Sequence, residues 1–180
     1  TDAIADIFCA SYSSIAGNLY VANGVSDPSK LSCLTEVFGY LTLETHASWT
    51  SLELPYLTKV HGNLNLAGNS TGAVRFPSLS EVGGVVYVYN AFESVDMSGL
   101  STIAGRELSV SAGGDTEPMD LDLSGLSSDM GYVSISASGT VDLSSLRSVS
   151  GSFTVARKPS IALDSLESVG GSLRIHATDV

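Results

Sequence analysis

At 180 residues with a net charge of −11, the chain can hold one domain or one continuous stacked core. Its acidity argues against nucleic acid or an anionic membrane as partner, since both reward clustered Lys and Arg. It is 43% hydrophobic and 15% charged, yet no apolar run approaches the roughly 18 residues of a membrane helix.

With 18 glycines and many serines, this composition suits short buried strands joined by small-residue turns. Residues 1–8 precede the first patterned stretch. Thr1 or Asp2 would cap a short helix over Ala3, Ile4, Ala5 and Ile7, and such a helix would cover the open end of a stack of coils. The chain therefore divides into an N-terminal cap segment, 1–8, and a repetitive body, 9–180. No signal peptide stands at Thr1, so the sequence reads as a mature or trimmed chain.

The body is organised by one phrase. Val60-His61-Gly62-Asn63-Leu64-Asn65-Leu66 returns as Val37-Phe38-Gly39-Tyr40-Leu41-Thr42-Leu43 and as Val82-Gly83-Gly84-Val85-Val86-Tyr87-Val88. It returns again as Val169-Gly170-Gly171-Ser172-Leu173-Arg174-Ile175. The repeat glycines are Gly17, Gly39, Gly62, Gly84, Gly105, Gly131, Gly151 and Gly171, at intervals of 22, 23, 22, 21, 26, 20 and 20 residues. A fixed phrase at such a period means a solenoid, here of about eight coils. The long interval holds Gly113-Gly114-Asp115-Thr116-Glu117-Pro118, a loop insertion. Arg106-Glu107 before Leu108 adds one residue to the phrase and predicts a bulge.

Each unit carries a second apolar phrase before its glycine, such as Leu52-Glu53-Leu54-Pro55-Tyr56-Leu57 or Leu121-Asp122-Leu123-Ser124-Gly125-Leu126. Both phrases alternate with period two, the signature of a half-buried strand. Leu52, Leu54, Leu57, Val60, Leu64 and Leu66 should point inward, with like residues of successive coils about 4.8 Å apart. The glycines should sit where φ is positive or where a side chain would strike the next coil. After Ile175 no capping element is readable, so the chain is expected either to continue or to meet a partner there.

The phrase Leu-x-x-Val-x-Gly-x-Leu-x-Leu, preceded by Leu-x-Leu-Pro-x-Leu, resembles the receptor L-domain, the leucine-rich β-helix of insulin- and epidermal-growth-factor-type receptors. It also looks like fungal cell-wall and bacterial surface proteins built from the same repeat. Cys9, ahead of Ile15-Ala16-Gly17-Asn18-Leu19, is similar to the cysteine that opens such domains. The resemblance covers roughly residues 9–176 and implies an all-β, right-handed β-helix at a cell surface. No cysteine pair closes the C-terminal end, as it does in the family. An ordinary leucine-rich repeat competes, because Leu64-x-Leu66-x-x-Asn69 fits its strand. Ala91, Gly113 and Ser138 break the asparagine ladder, however, and no unit has room for an amphipathic helix.

Three groups of residues stand out. The first is an outward face carrying Tyr20, Tyr40, Asn63, Asn65, Tyr87 and Tyr89 on the first four coils. Tyrosines offer flat apolar contact with a polar tip, and mixed with Asn they suit sugar rings or an extended protein. A sheet surface paved with ordinary strand formers is the plainer reading. The second is an acidic column, Glu53, Arg75, Asp96, Asp122, Asp142 and Ala162. Its carboxylates Asp96, Asp122 and Asp142 could hold Ca²⁺ or place an acid and a base for glycoside hydrolysis. A charged surface that prevents sheet-to-sheet association is the alternative. The third is Cys9 and Cys33, in neighbouring coils at plausible bonding distance, either a disulfide or two buried thiols.

His46, His61 and His176 occupy different columns, so no zinc site or histidine-based triad forms. Asn69-Ser70-Thr71 is a lone glycosylation sequon. Nothing calls for a cofactor. The expectation is a non-catalytic extracellular or cell-surface module that recognises a carbohydrate or a protein partner. A purely structural wall or spacer rod, or a polysaccharide-active enzyme using the acidic column, is the rival.

Overall fold

The computed structural model describes residues 9–22, 27–45, 49–68, 72–89, 92–111, 118–157 and 159–176. The expected cap over residues 1–8, His46, the sequon at Asn69 and most of the inserted loop, with Asp115 and Glu117, lie outside them.

The chain is an all-β solenoid whose described strand pairs are all parallel. Three sheets wrap one aliphatic interior. A broad sheet stacks the glycine-side strands, Leu19–Val21, Leu41–Thr45, Leu64–Gly68, Val86–Tyr89, Glu107–Ser111, Met130–Ser136, Ser148–Ala156 and Leu173–His176. A short sheet stacks the two-residue strands ahead of the glycines, from Ser14–Ile15 to Thr102–Ile103. The third sheet has six described strands, Ser51–Glu53, Ala73–Arg75, Ser94–Asp96, Asp120–Asp122, Gly139–Asp142 and Pro159–Ala162.

Among the described residues about six coils are therefore complete, and the expected count of about eight needs correction. The first two rungs of the broad sheet have no third-sheet strand among the described residues. In the second unit the 3-10 turn Pro28–Leu31 stands against Ser51–Glu53 in its place. Pro28 at the start of that turn has no N–H to donate to a sheet ladder, and Asp27 caps it by accepting Ser29 N–H.

Alternation decides what lies inside. In the broad sheet Leu19, Leu41, Leu64, Val86, Leu108, Val133, Phe153 and Leu173 pair in strict succession. Val37, Val60 and Val82 do so in the short sheet. Leu52, Val74, Val95, Leu121, Val141 and Ile161 do so in the third. From Leu41 to Phe153 the broad-sheet column is fully buried, and burying each such side chain contributes about 1.5–3 kcal/mol. In the last coil the same inward positions are open: Leu173 is 55% and Ile175 71% exposed.

The coils are pinned at their corners. A turn closes each complete coil, with Leu57 N–H donating to Leu54 O, Leu79 to Phe76, Leu100 to Met97, Leu126 to Leu123, Leu146 to Leu143 and Leu166 to Leu163, at 2.9–3.3 Å. At the next corner a hydroxyl in four successive coils donates to the carbonyl one coil earlier: Thr35 to Ser13, Thr58 to Thr35, Ser80 to Thr58 and Ser101 to Ser80.

From Gly39 onward the repeat glycines are explained by close stacking on the preceding coil and not by positive φ, which among the described glycines occurs at Gly68 and Gly139. A Cβ on Gly105 would stand 2.5 Å from the carbonyl carbon and oxygen of Gly84. The extra residue before Leu108 is absorbed by Arg106, which turns left-handed at φ 58°.

Candidate binding face

The outer surface of the broad sheet presents three columns. The first runs Asn18, Tyr40, Asn63, Val85, Glu107, Tyr132, Ser152 and Ser172, held by Leu19 N–H to Tyr40 O, Leu41 N–H to Asn63 O and Leu64 N–H to Val85 O. The second runs Tyr20, Thr42, Asn65, Tyr87, Ser109, Ser134, Thr154 and Arg174. The third runs Glu44, Ala67, Tyr89, Ser111, Ser136, Ala156 and His176. Tyr20, Tyr40, Asn63, Asn65, Tyr87 and Tyr89 thus share one face, as the repeat predicted. Glu107 also stands in the first column, where it pairs with Tyr132, because the extra residue at Arg106 shifts it there.

These side chains are not equivalent. Tyr20 and Tyr40 are 57% and 51% exposed and Tyr89 is 38% exposed, while Tyr87 is half-buried. Tyr87 and Tyr89 stack on each other with centroids 5.7 Å apart. The Tyr87 hydroxyl donates to Glu107 Oε1 at 3.3 Å. Burial and the charge of Glu107 hold its phenol above the ordinary tyrosine range. The Tyr20 phenol is also raised, first by its hydrogen bond to Glu44, then by burial and by the charge of Glu44.

The asparagines serve the scaffold as well as the surface. Asn63 Oδ1 accepts Val85 N–H at 3.1 Å, and Asn18 Oδ1 accepts Tyr40 N–H at 2.8 Å. Each closes the glycine corner of the following coil. Asn65 Nδ2 donates to Thr42 Oγ1 at 3.1 Å. Beside Tyr40, the exposed ring of Phe38 stacks on His61 at 4.6 Å, and His61 Nε2 lies 2.7 Å from Glu36 Oε1. Sequence reasoning missed this aromatic corner, although Phe where its equivalents read His61 and Gly83 was a visible departure.

The acidic column lies on the third sheet in the expected register, Glu53, Arg75, Asp96, Asp122, Asp142, Ala162. It borders a shallow groove of about 390 Å³, with Arg75, Asp96, Asp120, Asp122, Thr140 and Asp142 among its lining. The carboxylates have local partners. Asp96 Oδ1 accepts Ser98 N–H at 3.1 Å, Asp122 Oδ1 accepts Ser124 N–H at 2.9 Å and Asp142 Oδ1 accepts Ser144 N–H at 2.9 Å. Where the column carries Glu53 and Arg75, the residue two positions on is Pro55 or Pro77, which has no N–H to cap. Aspartate thus stands ahead of three of the four corners that offer an N–H donor there, and Ala162, two residues before Asp164, is the exception. Among the described residues no three His, Cys, Asp or Glu side chains converge as a metal site.

Cys9 and Cys33 are joined in a disulfide, with Cα atoms 5.6 Å apart across 24 residues of sequence. No described helix is long and apolar enough to cross a membrane.

No family model and no solved structure matches the chain. A curated relative, Sporulation-specific protein 2 of Saccharomyces cerevisiae, is 27% identical over 104 residues, covering 57% of this chain and 21% of that protein. The aligned part thus spans about a fifth of that relative's length.

Proposed function

We propose that this solenoid is a right-handed β-helix of receptor L-domain type serving as a non-catalytic recognition or adhesion module at a cell surface. Its ligand, a carbohydrate or a protein, would lie on the Tyr/Asn face of the broad sheet. The observation that carries the reading is the exposure of Tyr20, Tyr40 and Tyr89 on one sheet in register. A rigid scaffold offering tyrosines at low entropy cost suits a binding surface. Right-handedness follows the rule for parallel strands joined by crossovers. The Cys9–Cys33 disulfide supports an oxidising setting outside the cytosol.

The test replaces Tyr40, Tyr87 and Tyr89 together by alanine and measures binding on glycan arrays and in pull-downs. Loss of binding is expected. Binding that survives the triple replacement would remove this face from the mechanism. A polysaccharide-cleavage screen with Asp96, Asp122 and Asp142 changed to Asn addresses catalysis directly. Cleavage by the native chain that the triple variant loses would replace the recognition reading.

A further inference from the structure

We infer that the Tyr/Glu half of the broad sheet is a seat for a cationic extended protein segment, with a Lys or Arg side chain standing over Ala67 between Glu44 and Tyr89. The inference rests on the recognition reading above and narrows its ligand to one chemistry.

Charge on this face is one-sided. Among the described residues of the three outward columns, Glu44 and Glu107 bring negative charge, and Lys or Arg is absent until Arg174 on the last rung. Arg106, next to Glu107, directs its guanidinium to Asp129 and Ser150 on the other side of the glycine corner. Lys59 is paired with Glu81 on the short sheet. Among the described residues the carboxylates of the face have phenol partners and no cation: Tyr87 donates to Glu107 and Tyr20 to Glu44. Carboxylates set among aromatic rings attract an ammonium or guanidinium both by charge and through the ring faces.

The relief of the face supplies a place for it. Glu44, Ala67 and Tyr89 follow one another in a single column. At about 4.8 Å per rung the two large side chains stand roughly 10 Å apart with only a methyl group between them. Asn65, beside Ala67 on the same strand and held through Nδ2 by Thr42, supplies a carboxamide oxygen at the rim. Glu107 lies three rungs from Glu44 and two columns across. The diagonal is about 20 Å, which an extended chain covers in roughly six residues. A neutral polysaccharide would find the rings but leave both carboxylates without a counter-charge.

The experiment uses the whole 180-residue chain and fluorescence anisotropy. Its probes are a labelled alternating Lys–Thr peptide of about ten residues, a Glu–Thr twin and a neutral glucan oligosaccharide, with salt at about 0.05 M and 0.5 M. The Lys–Thr peptide should bind at low salt and weaken at high salt, and the other two probes should not bind. Replacing Glu44 and Glu107 together by Gln should weaken binding about tenfold. Ala67→Lys, which fills the gap with a cation of its own, should abolish it.

The control is Asp122→Asn with Asp142→Asn. It changes net charge equally on another face, retains the Oδ1 acceptor, and should shift binding less than twofold. Melting curves matching the native chain establish that each variant is folded. Equal weakening by the control pair would overturn the seat as mere attraction to an acidic protein. Binding of the glucan, lost with the three tyrosines but indifferent to the Gln pair, would overturn this inference and leave the recognition reading standing. Binding of no probe would sink the seat, while the array experiment decides the broader reading separately.

Discussion

Asp122 Oδ1 accepts the backbone N–H of Ser124 at 2.9 Å, inside the turn that Leu126 N–H closes on Leu123 O. Pro55 occupies the place of Ser124 in the first complete coil, between Leu54 and Leu57. Asp122→Ala should cost about 1 kcal/mol, the net value of one such hydrogen bond, while Asp122→Asn should be nearly neutral. Adding Ser124→Pro to Asp122→Ala should recover most of the loss, because proline removes the uncapped donor and suits this turn position. Urea unfolding of these three variants and of Ser124→Pro alone reads the coupling. Additive losses would mean that Asp122 acts through something other than the turn.

The glycine row offers a contrast within one protein. Gly105→Ala would set a Cβ 2.5 Å from backbone atoms of Gly84, whereas a Cβ on Gly17 meets nothing within 4 Å among the described residues. Backbone cannot swing aside as a side chain can, so Gly105→Ala should destabilise by about 1–3 kcal/mol, the range for overpacking. Gly17→Ala should lie within about 0.5 kcal/mol of the native chain. Chemical denaturation of the pair checks the ranking.

The Cys9–Cys33 bridge ties the two incomplete N-terminal units together. A closed loop of this size is worth about 3 kcal/mol in the chain-entropy account. In a stack where each coil touches mainly its neighbours, that loss should stay local. Cys9→Ser with Cys33→Ser should therefore speed hydrogen exchange over Leu19–Val21 and Leu41–Thr45 well before it affects Met130–Ser136. Uniform loss of protection along the whole rod would refute local unfolding.

Alkaline titration separates the two tyrosine–glutamate pairs. Both phenols should ionise above the ordinary value of about 10, because their surroundings favour the neutral form. A raised value in the folded state contributes stability below the unfolded value. That contribution disappears as pH rises through the folded one. For Tyr20 the Glu44 hydrogen bond is the largest cause, so Glu44→Gln should return it most of the way. For Tyr87 burial comes first, so Glu107→Gln should return it only in part. Phenolate absorbance of the two variants, with the other tyrosines as internal reference, measures both.

Much of this fold was legible because its code is local. A pleated strand turns alternate side chains to opposite faces. Leu41, Leu64 and Val86 were therefore assigned to the interior, and Tyr87 and Tyr89 to the surface, from alternation and a common phrase. The Tyr/Asn face followed from the same count.

What only the stacked coils decided is how neighbours some twenty residues apart use each other's polar atoms. Glu107 joins the first column because Arg106 takes a left-handed turn, which the insertion alone did not disclose. Asn63 is half scaffold because its amide reaches Val85 on the following coil. Among the described residues the third sheet begins at Ser51, so six coils are complete there where the glycines alone counted eight. Periodicity says which way a side chain points. Its partners depend on register between coils, and that is set when the chain closes on itself.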